Sequence, residues 1–163
     1  MVQIAVSLGS NIERESNIRM AARAIRSRYP EATFSPVFSS AAVGFDGPDF
    51  LNLVAVYESD LPVREVIREL HDWEDHLGRK RMAGEMTSRT IDLDLLLYGD
   101  ETFHPMGLNV PRDEILEYAH VLKPLSLVIP QQRHPVTGET YQTLWTQMSA
   151  EQDASLKEVS LQL

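Results

Sequence analysis

At 163 residues, 43% of them hydrophobic and 24% charged, the chain is long enough to close one core without metals or cross-links. It has no cysteine, which excludes disulfides and thiolate metal sites, and its formal net charge of −9 argues against bulk binding to nucleic acid. No stretch approaches the roughly 18 apolar residues of a membrane span, and "MVQIAVSLGSN" has no positive segment ahead of its short apolar run, so neither a membrane segment nor a signal peptide is expected. The chain reads as cytoplasmic and as a monomer, with a dimer left open.

Residues Val2 to Leu8 alternate weakly and predict a first strand, stopped by Gly9. Ile18, Ala21, Ala22 and Ile25 then fall at helical spacing, Pro30 ends the helix, and its start is either a capping box of Ser10 with Glu13 or a point nearer Glu15. "ATFSPVFSSAAV" is rich in β-branched and aromatic residues, but Pro36 predicts an edge strand or a bulge. After the loop "GFDGPD", "FLNLVAVYE" is a strong strand, and "LPVREVIRELHDWEDHLG" sets Val63, Val66, Ile67, Leu70 and Trp73 on one helical face. A basic loop, "RKRMAGEMTS", leads into a last strand around "TIDLDLLLYG".

The order strand, helix, strand, strand, helix, strand predicts an α+β fold, a ferredoxin-like βαββαβ antiparallel sheet with its helices on one face. Short helical pieces near "RDEILEYA", "LKPLSLVIP" and "YQTLWTQM" form a C-terminal extension. Residues 1–148 are expected to be one domain, and the polar residues 149–163 a frayed tail.

The last strand carries the chemistry. Residues two apart on a strand share a face, so Ile91, Leu93 and Leu95 face the core while Asp92 and Asp94 point together to the other side. A solvated sheet face and a divalent-metal site both fit that pattern. Magnesium in particular is held by one or two carboxylates plus substrate phosphates. Arg79, Lys80, Arg81 and Arg89 make a local basic cluster in an acidic chain, which is either a solvated loop or an anion site. Phe50 and Asn52 share a strand face as well; a ring beside an amide is core packing, or a platform for a flat heterocycle. There is no Walker-type glycine loop, no GxSxG, and no metal spacing among His71, His76, His104, His120 and His134.

With "LGSN", "GPDFLNLVAVYE", "LGRKR" and "VLKPLSLVIP", the segment "SRTIDLDLLLYGD" resembles the hydroxymethyldihydropterin pyrophosphokinases of folate biosynthesis, over about residues 2–145. The resemblance implies a ferredoxin-like fold and transfer of pyrophosphate from ATP to the hydroxymethyl group of a reduced pterin, with release of AMP. It implies two magnesium ions on Asp92 and Asp94, and catalytic roles for Arg79, Arg89 and Asp94. His71, Glu74, Arg79, Arg81, Arg89 and Arg112 would face ATP; Phe50, Asn52, Asp92 and His120 would hold the pterin. The chain departs from the family's pattern in four places. Arg112, followed by Asp113, stands where the family has a His, and Tyr118 stands for an Arg. His120 stands for the pterin-stacking Phe, and Met86 for a Trp of some members. These changes leave two rivals to an efficient pyrophosphokinase: an enzyme for a different pterin, and a paralogue that binds nucleotide or pterin without efficient catalysis. A kinase moving only the γ-phosphoryl group would release ADP instead.

Overall fold

The computed structural model describes residues 1–44, 46–78 and 91–163. Four strands make up most of the sheet: β1 (Val2–Ser10), β3 (Val37–Ser40), β4 (Phe50–Ser59) and β5 (Asp92–Tyr98), the last lying at one edge. Two short strands, β2 (Thr33–Phe34) and β6 (Lys157–Val159), complete it. The sheet order is β5-β1-β4-β3-β6, with β2 also pairing β4, and every pairing is antiparallel. The helices are α1 (Arg14–Arg28), α2 (Val63–Leu77), α3 (Ala119–Val128) and α4 (Tyr141–Gln152).

Alternation along the central strands divides the core. Ile4, Val6, Leu8, Leu51, Leu53, Leu93 and Leu95 face α1 and α2, which bury Ile18, Ala21, Ile25, Val66 and Leu70 against them. Ala5, Val54, Val56, Leu96 and Leu97 face the C-terminal extension, where Val121, Leu122, Leu125, Tyr141 and Leu144 close a second cluster. Leu95 and Leu96 lie in different clusters as alternation requires. Leu97 follows Leu96 into the second because β5 slips register against β1 between Ala5 and Val6.

Two local expectations change and one holds. The capping box at Ser10 does not form: Glu13 is the N-cap, at φ 41°, without a side-chain bond, and the Ser10 hydroxyl donates instead to Ile12 O. At Pro36 the expected bulge is present: the pairing with β4 shifts by one residue between β2 and β3, and Ser35 bridges the break. Its N–H donates to Val54 O, and its hydroxyl accepts from Val54 N, both at 2.9 Å. The tail expected to fray does not: α4 runs to Gln152, β6 pairs with β3, and Val159, Leu161 and Leu163 pack on the first cluster. Polarity misled here, because a strand covering a sheet edge needs apolar residues only at every second position.

Candidate active site

The carboxylate pair sits at the start of β5. In the register, Asp92 is opposite Gly9 of β1, and Gly9 is opposite Asn52 of β4, so one row across three strands reads Asp92, Gly9, Asn52. Asp94 is two residues along, opposite Ser7. This row floors a cavity of about 590 Å³ whose walls include Phe50, Asn52, Asp92, Asp94, Tyr118 and His120. The residues expected to hold a pterin therefore line one space.

Asn52 is buried, and its amide nitrogen donates to Ser40 Oγ at 2.7 Å. That bond fixes the carboxamide plane, which a rotatable amide needs if it is to present one edge reproducibly. The His120 ring is stacked on Tyr118, with centroids 5.2 Å apart and planes 17° apart. Burial holds the imidazole below its usual pKa, against a smaller opposing pull from Glu114, so it is a neutral ring near pH 7. Tyr118 thus spends one face supporting the ring beside it.

Glu74 and His71 come from α2. Glu74 Oε2 accepts the Leu93 N–H at 2.9 Å, capping the outer edge of β5 between the two aspartates. Burial raises the Glu74 carboxyl to about 7; the Leu93 bond opposes this, and the charges of Asp92 and Asp94 add to it. Asp94 rises to about 6, first through burial, with Arg112 opposing and Asp92 and Glu114 adding. Three acids are thus crowded at the mouth of β5. His71 is exposed and borders a small recess with Asp94 and Arg112. Arg112 lies 3.6 Å from Asp94 and 2.8 Å from Glu114.

Arg79, Arg81 and Arg89 lie outside the described residues. Two neighbours of the site escaped the sequence reading. Gly9 does not stop the first strand as expected: β1 runs through it to Ser10, and a Cβ there would come 3.4 Å from Asn52 Oδ1 and 3.8 Å from Phe50 Cδ1. Glu114 carried no signal beyond its place in the short helical piece "RDEILEYA".

Among the described residues, no group of three or more His, Asp or Glu side chains is arranged to ligate a metal. Two adjacent, half-buried carboxylates fit a hard cation that brings most of its ligands with it as water and phosphate, as magnesium does. Their crowding gives such a cation a favourable charge to meet.

The family model for 7,8-dihydro-6-hydroxymethylpterin-pyrophosphokinase (HPPK) matches residues 5–130. A Pseudomonas aeruginosa protein named 2-amino-4-hydroxy-6-hydroxymethyldihydropteridine pyrophosphokinase is 34% identical over 140 residues, covering 83% of this chain and 86% of that protein. Its Haemophilus influenzae namesake is 32% identical over 139 residues, covering 80% and 86%. Among solved structures, a Plasmodium falciparum HPPK-DHPS chain superposes with a TM-score of 0.70 at 11% identity, over 98% of this chain. The chain spans about half the length of that protein (49%), and at such identity the match speaks for the fold alone. Family match and relatives agree: the chain belongs to the 7,8-dihydro-6-hydroxymethylpterin-pyrophosphokinase family.

Proposed function

We propose that the protein transfers pyrophosphate from ATP to the hydroxymethyl group of 6-hydroxymethyl-7,8-dihydropterin, giving AMP and the pterin diphosphate, with magnesium as cofactor. One juxtaposition carries this function. A cavity of about 590 Å³ has a fixed amide and aromatic rings on its walls and the Asp92–Asp94 pair at its edge. A heterocycle held against Asn52, Phe50 and His120 would present its hydroxymethyl arm toward those carboxylates.

Each residue type then has a task. Asn52 pairs with the pterin edge; Phe50 and His120 cover its faces. Holding the ring flat matters because misplacement by about 1 Å can cost roughly a hundredfold in rate. Asp92 and Asp94 would hold magnesium, which when bound neutralises the polyphosphate and lowers the barrier to attack by a weakly nucleophilic alcohol. Arg79 and Arg89 are assigned by resemblance to the phosphates, with Arg81 as a further basic residue, where charge neutralisation does most of the catalytic work. The His71 and Arg112 recess is the nucleotide side, and Glu74 sets the edge of β5 on which the aspartates ride.

The test is a product assay with ATP, Mg²⁺ and hydroxymethyldihydropterin, separating AMP from ADP, beside an Asp92→Ala/Asp94→Ala control. The expected outcome is pterin-dependent AMP that falls at least about a thousandfold in the control, the order of loss for removing charge stabilisation at a reacting centre. ADP as the product would mean γ-phosphoryl transfer, and no turnover with any pterin would mean a binding protein.

A further inference from the structure

Arg112 stands between two acids and is held unequally by them. Its Nε donates to Glu114 Oε1 at 2.8 Å, the length of a charge-assisted hydrogen bond. Its Nη2 lies 3.6 Å from Asp94 Oδ1, too far for a hydrogen bond and close enough for a Coulombic contact. The side chains of Arg112, Asp94 and Glu114 are 28%, 31% and 32% exposed, so water screens this group only in part. The backbone is anchored separately, Arg112 N donating to Leu96 O at 2.9 Å.

The three also straddle two spaces. Among the described residues, Asp94 alone borders both the large cavity and the small recess beside His71. Arg112 lines the recess and Glu114 the cavity. A divalent ion on Asp94 would meet the guanidinium as a like charge at short range.

We propose that Arg112 is a resident cation of the metal site. In the metal-free protein it occupies the charge position beside Asp94; an arriving divalent ion displaces it from that loose contact. Glu114 is the positioning residue that keeps it anchored, so that its freed Nη groups meet the phosphates arriving with the metal. This rests on the proposed pyrophosphokinase function and adds a sign: Arg112 opposes the metal alone and favours the metal with nucleotide.

The test is calorimetry on the nucleotide-free protein with Mn²⁺ alone, then with Mg²⁺ and an ATP analogue carrying a methylene between the α- and β-phosphates. Arg112→Met is expected to bind Mn²⁺ about five- to tenfold more tightly than wild type, and the magnesium–analogue complex about tenfold more weakly, as loss of one unit charge a few ångströms away predicts. Arg112→Gln gives the same comparison if the apolar variant does not fold, and Arg112→Lys, which keeps the charge, is expected to bind Mn²⁺ as wild type does. Glu114→Gln should weaken analogue binding about fivefold in the wild-type background and hardly at all beside Arg112→Met, because its effect runs through Arg112.

Mn²⁺ affinity unchanged or lowered in the Met and Gln variants overturns the proposal, as does Mn²⁺ binding to none of the proteins. An equal Glu114→Gln effect in both backgrounds removes the positioning role. AMP formation is scored separately. A wild type that makes AMP while Arg112→Met binds Mn²⁺ no better loses the resident cation and keeps the function. A wild type that makes no AMP loses the function, while the Mn²⁺ comparison still decides the role of Arg112.

Discussion

Gly9 lies in the row between Asp92 and Asn52, and the absence of its side chain leaves the floor of the cavity open. Its contacts are ordinary for one added carbon, so a larger residue would project into the space without forcing the strands apart. Gly9→Val is therefore expected to keep the fold, since valine suits a strand, while lowering pterin-dependent turnover by roughly a hundredfold or more. Circular dichroism and the AMP assay together check this; a folded variant with full activity would show that the ring does not lie over Gly9. Asp92 and Asp94 could be found from the sequence because they break a rule, two acids on one face of an otherwise apolar strand. Gly9 breaks none. A glycine near the end of a strand is common, and its use depends on which strands lie on either side.

At the scale of elements, β5 and β6 show opposite relations between sequence and placement. β5 is read at once from "TIDLDLLLYG", yet its outer edge is satisfied by Glu74 of α2, a bond between residues 19 apart in the chain. β6 looks like a polar tail, but "LKEVSLQL" alternates, and Val159, Leu161 and Leu163 share the buried side while β6 covers β3. Arg19 Nε also donates to Gln162 O at 3.1 Å, tying this end to α1. Truncation after Ser155 is expected to cost about 2–3 kcal/mol from lost apolar burial, read as a lower urea midpoint. It should also promote self-association, because β3 becomes an open edge. A truncated chain of unchanged midpoint would mean that β6 adds nothing to stability.

For the whole molecule, the crowded acids set stability against charge. Glu74 goes from 4.5 to about 7 and Asp94 from 3.8 to about 6 on folding. Raised carboxyl values mean that the folded chain keeps protons that the unfolded chain has lost. Stability from these groups is thus greatest below about pH 4 and falls as pH rises through about 6 to 7. Glu74→Gln, whose carbonyl can still accept from Leu93, is expected to match wild type near pH 4 and to melt roughly 3–6 °C higher above pH 7. Parallel melting curves at all pH values would rule out this strain. Magnesium should raise the wild-type melting temperature more at pH 7.5 than at pH 5, because it competes with protons for the same oxygens. By itself the sequence determined the element order as far as β5, the α+β class, the faces of α2 and β5, and the carboxylate pair, since periodicity and residue chemistry are local properties of a chain. Tertiary structure alone decided that Asp92, Gly9 and Asn52 form one row, that Glu74 caps β5, that Arg112 lies between Asp94 and Glu114, and that the last residues close the sheet. Those relations join residues distant in sequence, and their register is set by packing two cores on one sheet, which no local pattern encodes.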